Sequence, residues 1–245
     1  MSRRVRIGIF LPALAGLGAL LVWSYTGLPS FGDYQGPYGF IVNRIATPLR
    51  HMDNAVNATT YDIRGFDTLG EEFILFAAVI GVVLLLRDRG ERDADEIEDD
   101  TGSDLIRVCG TLAIGAAVLV GLWLVAFGFV TPGGGFQGGV AVASGALLLY
   151  LVAGHREWSA FGNETLLDPI KGIGGGGYAV IGLAALVGGL AYLTNFFPGG
   201  VTGTVWSGGS AAFVNWAAGI EVAAALVILF AEFLQAYIVP IARSS

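Results

Sequence analysis

The sequence predicts an all-α polytopic membrane protein with about six transmembrane helices, and three observations carry that prediction. Hydrophobic residues make up 54% of the 245 and charged residues only 13%, against about 25% charged in a soluble domain; mean hydropathy is +0.69. Apolar runs of bilayer length, roughly 17 to 25 residues each, recur six times along the chain. The connections between them alternate in character. With both termini in the cytoplasm, Arg3, Arg4, Arg6, Arg87, Arg89, Arg92, Arg107, Arg156, Lys171 and Arg243 lie inside, against Arg44, Arg50 and Arg64 outside, as the positive-inside rule expects.

The first run, Ile7 to Trp23, follows the three N-terminal arginines. It is slightly long for a signal peptide, and no small-x-small cleavage site precedes Trp23 and Tyr25, so it reads as an uncleaved first helix. Residues Pro29 to Arg64 are mixed in character and belong outside the hydrocarbon. Phe40, Ile41, Ile45 and Leu49 recur at roughly helical spacing there, which suits a short interfacial helix lying on lipid or on neighbouring subunits; a plain loop suits them equally.

The second run, Phe73 to Leu86, has only 14 residues. At 1.5 Å per residue it would span about 21 Å of a core about 30 Å thick, so the helix must extend back to Phe66. That extension draws Glu71 and Glu72, and with them Asp67, to or below the membrane surface, where carboxylates are expensive and usually functional. Asp67 and Glu71 are four apart on one helix face, and Arg64 is placed to pair with Asp67 or with Asp62. Asp67 equally suits a helix cap.

Between Arg87 and Arg107 nine acids stand against four arginines. This run divides the chain into a membrane module over residues 1–87, an acidic cytoplasmic linker over 88–104 and a second membrane module over 105–245. It reads as a solvated linker, with a cation-collecting antenna as the alternative. The net charge of −7 sits mainly in this one loop, which argues against nucleic acid as a partner.

Four further helices are expected near Cys109 to Val130, Phe136 to Ala153, Tyr178 to Asn195 and Ala211 to Ile238. The stretch Thr131-Pro132-Gly133-Gly134-Gly135-Phe136-Gln137-Gly138-Gly139 separates the first two, because glycine costs about 1 kcal/mol and proline about 3 kcal/mol in a helix interior. It suits a tight hairpin linker. Lacking Cβ atoms, Gly134 with Gly138, and Gly135 with Gly139, would also let another backbone approach closely. Gly172 to Gly177 follow a loop and open the next helix, which Ala185, Gly188 and Gly189 mark as closely packed. In the last helix Glu221 and Glu232 are eleven residues apart, so they share nearly one face about 16 Å apart. Glu221 lies well inside apolar sequence, where it suits a proton or Na+ relay, or a neutral group hydrogen-bonded to a neighbouring helix.

Signs of a self-sufficient enzyme are missing. The chain has two histidines, His51 and His155, no phosphate-cradling loop after a strand and no cysteine cluster, so no cofactor is expected. Cys109 can form no internal disulfide and reads as a small packing residue.

Two stretches carry a family resemblance. Residues 104 to about 240, with the threonine-proline-glycine turn at Thr131 to Gly139, resemble the B subunit of the multisubunit monovalent cation/proton antiporters called Mrp, Mnh or Sha. Residues from about Asn54 to Leu86, with Asp62-Ile63-Arg64-Gly65-Phe66-Asp67-Thr68-Leu69-Gly70-Glu71, resemble the E-like subunit of related membrane-bound hydrogenases and the C-terminal end of the large A subunit. The chain departs from the separate-subunit pattern by fusing the two. The resemblance implies a non-catalytic subunit of a prokaryotic cytoplasmic-membrane assembly related to complex I, among A, C, D, E, F and G-like partners, exchanging Na+ or K+ for protons. Asp67 and Glu71 match the family's acidic motif, with a transient Na+ at Glu71 and no tightly bound metal. Glu72 is an additional acid, and Glu221 is matched less closely. A membrane-arm subunit of a redox-driven ion pump and a purely structural scaffold are the alternative readings.

Overall fold

The computed structural model describes residues 3–28, 30–33, 36–86, 103–154, 158, 164–197 and 199–234, and among these every regular element is helical. The acidic linker at 88–104 lies almost wholly outside the described residues. The chain forms two compact units, Met1–Ile41 and Val42–Ser245. The first holds α1 (Arg3–Thr26), which is exposed along its length.

The second unit takes in most of α2 (Tyr38–Arg50), then α3 (Ala55–Ala58), a π turn (Thr59–Ile63), α4 (Gly65–Leu86), α5 (Asp104–Phe127), α6 (Gly135–Ala153), α7 (Glu164–Val187) and α8 (Ser210–Phe233). α2 resolves the choice between loop and helix at Phe40 to Leu49 in favour of a helix. With α1, five of these are long and apolar enough to cross a membrane, six in all. α4 begins at Gly65, so the short apolar run is lengthened at its N-terminus and takes Asp67, Glu71 and Glu72 into the helix.

α8 is the axis of the second unit. It packs against α4, α6 and α7, while α5 packs mainly on α6 and meets α8 at its C-terminal end. Its buried surface is rich in alanine, with Ala211, Ala212, Ala217, Ala218, Ala224, Ala225 and Ala231 all enclosed. Short side chains let neighbouring backbones close in, and in an apolar solvent the resulting van der Waals contact is what holds helices together. Asn195 fixes the start of α8 by accepting hydrogen bonds from the Ser210 N–H (2.8 Å) and hydroxyl (3.0 Å).

Three expectations are corrected here. The helix expected over Tyr178 to Asn195 runs from Glu164 to Val187, so Gly172 to Gly177 lie in its interior and do not open it. Packing overrides propensity: Cβ atoms on Gly174 and Gly175 would strike Glu221 of α8 at 2.6 Å. Gly188 and Gly189 are not packing residues. Gly189 adopts φ 76° and ends α7, with the Leu190 N–H bonded back to the Ala185 carbonyl at 3.0 Å. Cys109 is exposed on α5, not buried as a packing residue.

The glycine turn keeps the close approach expected of it. α5 ends at Phe127 and α6 begins at Gly135. A Cβ on Gly138 would lie 2.7 Å from the Gly121 carbonyl of α5, and one on Gly139 2.7 Å from the Gly219 carbonyl of α8. A Cβ on Gly135 would collide with the Asn215 carbonyl. Gly135→Ala should therefore lower stability by about 1–3 kcal/mol or more. Gly176→Ala, at an outward-facing position with nothing within 4 Å, should be neutral or raise it by up to about 1 kcal/mol. Thermal unfolding of the purified chain in detergent checks both, and equal effects would sink the packing argument.

Candidate functional site

The turn between α5 and α6 exposes backbone groups that no helix satisfies; two asparagines take them up, and a third braces one of the two. Asn54 donates from Nδ2 to the carbonyls of Gly128 (2.7 Å), Thr131 (2.9 Å) and Gly133 (3.1 Å), while its Oδ1 accepts from the N–H groups of Val56 and Asn57 that open α3. Asn215, fully buried in α8, donates to the Val125 carbonyl at 2.7 Å. Its Oδ1 accepts from the Gly135 N–H at 2.7 Å and from Asn57 Nδ2 at 2.8 Å. These bonds hold the Thr131 to Gly139 stretch against both α3 and α8.

Beside this clamp lies a cavity of about 250 Å3 lined by Asn57, Thr60, Tyr61, Thr68, Glu71, Glu72, Gly133 and Gln137, among others. α4 supplies both acids. Glu71 is exposed, whereas Glu72 is 3% exposed and one of its carboxylate oxygens has no hydrogen-bond partner. Tyr61 closes one wall, its hydroxyl accepting from the Phe136 N–H at 3.4 Å. Burial, with the Glu72 charge second, pushes the Tyr61 phenol above its usual range, so it remains a neutral O–H. Tyr178 of α7 donates to the Gly65 carbonyl at 2.8 Å and fixes the start of α4.

Glu221 stands deeper, 1% exposed at the middle of α8, and neither of its oxygens has a hydrogen-bond partner. Glu72 and Glu221 lie close enough for their charges to act on one another. Glu232 is also buried on α8, so both of its acids point inward. The structure thus brings Glu71, Glu72 and Glu221 together and leaves Asp67 and Arg64 at the rim. Arg64 donates from Nε to Asp67 Oδ2 at 2.6 Å, and both side chains are more than half exposed.

Two features of the site escaped the sequence. Lys171, counted there only among the basic residues of the cytoplasmic side, is 4% exposed within the membrane-crossing part of α7. It is the single lysine of the chain, and three residues later the glycine run begins its contact with Glu221, a pairing that could have marked it. Asn215 carried no such signal, because an isolated asparagine in an apolar run has no spacing to read.

A second cavity, about 470 Å3, lies along Arg50, Asp62, Arg64, Tyr192 and Asn195. Asp62 pairs with Arg50 at 3.1 Å, its side chain 3% exposed and that of Arg50 38%. Burial raises the Asp62 carboxyl above its ordinary value, opposed by the Arg50 charge. A carboxyl raised on folding favours the folded state below its ordinary range and counts against it as pH rises through the folded value.

Comparison with known proteins agrees with this architecture. Residues 105–228, about half of the chain, match the family model for the domain related to the MnhB subunit of Na+/H+ antiporter. An uncharacterized protein of Methanocaldococcus jannaschii is 29% identical over 209 residues, covering 76% of this chain and 78% of the relative. A probable K+/H+ antiporter A/B subunit of Rhizobium meliloti is 35% identical over 125 residues, covering 42% of this chain but only 12% of that much longer protein. Among solved structures, a chain of the archaeal membrane-bound sulfane sulfur reductase, a respiratory membrane complex, superposes with a TM-score of 0.69 at 28% identity, over 94% of this chain and 98% of that one. A chain of the Mrp complex from a Dietzia species gives 0.65 at 23% identity, over 95% of this chain and 26% of the other, a likeness of fold.

Two outcomes test the site's construction. Asn215→Leu strands the Val125 carbonyl and the Gly135 N–H in an apolar interior, at about 1–3 kcal/mol for each, and should lower the unfolding temperature more than Asn54→Ala at the half-exposed end of the clamp. Arg50→Met removes the counter-charge of Asp62, so its stability loss should be larger at neutral pH than at acid pH, where the carboxyl is protonated. Thermal unfolding at the two pH values reads this out, and a pH-independent loss would refute it.

Proposed function

The chain belongs to the family of the domain related to the MnhB subunit of Na+/H+ antiporters, and from that membership we infer that it is a multi-pass membrane subunit of a multisubunit cation/proton antiporter. Other membrane subunits are its partners, and the exposed apolar faces of α1 and α5 are suited to them or to lipid.

The subunit is non-catalytic, and it supports the cation path. In this reading the termini and the acidic linker face the cytoplasm and the Thr131 to Gly139 turn faces outward. Glu71, with Asp67 and Arg64 at the rim, guides Na+ or K+ into the cavity, and Glu72 and Glu221 carry the exchange inward. The observation that supports this most directly is the pair of buried carboxyls with unpartnered oxygens, Glu72 and Glu221, behind a polar cavity. Buried carboxylates are expensive in an apolar bundle, so each must either keep a proton or take a cation beside it. Proton and monovalent cation are thereby alternatives at one place, which is what exchange requires.

A second reading, a membrane-arm subunit of a redox-driven pump, is favoured by the end-to-end likeness to a chain of a respiratory complex. Cation-dependent proton flux in the absence of any electron donor separates the two.

The decisive measurement is antiport in inverted vesicles carrying the whole assembly. Glu72→Gln and Glu221→Gln, checked for assembly, should each lower cation-dependent proton flux by about 100-fold, in the range of a lost proton-transfer group. Glu71→Gln should mainly raise the cation concentration needed for half-maximal flux. Variants that assemble and transport normally would mean that this chain is a scaffold.

A further inference from the structure

One buried charge has no part in the path described so far. Lys171 lies four residues beyond the start of the membrane-crossing segment of α7. Its ammonium is 3.2 Å from Oδ1 of Asp168, whose side chain is 59% exposed, and 4.9 Å from the centroid of the Phe76 ring on α4. Phe76 is one helical turn beyond Glu72 on the same face.

On the inner side of Lys171 is Glu221. Gly174 and Gly175 follow Lys171 by three and four residues, so they share its face of α7, and both are pressed against Glu221. The Lys171 charge is near enough to be felt at Glu221 without forming an ion pair with it. Two carboxyls therefore compete for one ammonium, Asp168 on the exposed side and Glu221 on the buried side. Glu72 and Glu71 of α4 are the other acids whose charges bear on this group, and Tyr61 and Tyr178 are the phenols within range of Glu72. A lysine can serve either partner by rotating its flexible stem, because its three donors are not held in a fixed plane.

We propose that Lys171 is the inner gate residue of the ion path: its ammonium exchanges between Asp168 and Glu221, and Glu221 releases its proton only as the ammonium turns to it. In one state Lys171 pairs with Asp168, as it does in the structure, and Glu221 keeps its proton. In the other, the O–H bond of Glu221 breaks, its proton is taken up by water at the exposed Asp168 end, and the carboxylate left behind is matched by the ammonium. A returning proton rebuilds the O–H bond and frees Lys171 for Asp168. Lys171 is thus a positioning residue, and its assignment rests on the antiport reading above.

The test is the pH profile of cation-dependent proton flux in inverted vesicles containing the whole assembly. Loss of the ammonium in Lys171→Met should move the rising limb to more alkaline pH by about one unit or more. Asp168→Asn leaves Lys171 to Glu221 alone and should move the same limb toward acid, and Lys171→Arg should hold it near the wild-type position. A lysine with a merely structural part would lower the maximum flux without moving the profile. Assembled variants whose profiles stay put, or shift in the same direction, overturn the proposal. Should Lys171→Met not assemble, Asp168→Asn, altered at an exposed side chain, decides alone: an acid shift supports the gate and an unmoved profile overturns it. Loss of flux in Glu221→Gln with an unmoved Asp168→Asn profile sinks the gate alone, whereas full flux in Glu221→Gln sinks the path and the gate with it.

Discussion

Asn215 sits where two chain segments would otherwise bury unpaired backbone groups and a third brings in a buried side-chain amide. Its amide bonds the Val125 carbonyl at the end of α5, the Gly135 N–H at the start of α6 and the Asn57 side chain of α3. In water each group would find a solvent partner. In the interior of a membrane bundle none is available, and each would cost several kcal/mol. The glycine turn is possible only because these partners are in place, and the partners reach it only because Gly135, Gly138 and Gly139 bring no side chains between the helices. Turn and clamp are one constraint, and the cavity that holds Glu71 and Glu72 lies against it.

The charges obey a related rule. Along the inward faces of α4, α7 and α8 the second unit carries Glu72, Lys171 and Glu221 with very little exposure. Burying ionised groups is tolerated where opposite charge, a proton or a bound cation offsets the cost. Lys171 stands between an exposed acid and a buried one, so the balance can be struck in more than one way. That choice separates these residues from Asp62, which the structure pairs with Arg50. The first arrangement suits exchange and the second suits holding the segment before α4.

How much was legible depended on whether the deciding contact was local. The short apolar run before Leu86 had to borrow length from its N-terminal side, and α4 does begin at Gly65. The turn at Thr131 to Gly139 announced both a helix break and close packing. The helix holding Gly172 to Gly177 was misread because glycine's local preference for irregular chain was outweighed by contact with Glu221, well over forty residues further along the chain. Propensity is a sum over neighbours in sequence, and it carries no information about a helix arriving from elsewhere. The same blindness left Lys171 outside the expected helix, in a cytoplasmic connection.

Residue composition and hydropathy by themselves determined the membrane, the all-helical class and six crossing segments, because a bilayer admits few solutions for a backbone that must satisfy its own hydrogen bonds. The acids worth watching were also visible, since carboxylates in apolar runs are rare. Only the tertiary structure decided among them. It enclosed Glu72 and left its neighbour Glu71 exposed, because adjacent residues on a helix point about 100° apart and only one can face α8. It also set Lys171 beside Glu221 and made Asn215 the keystone of the turn, since both depend on which helices meet, a fact that no spacing within one helix contains.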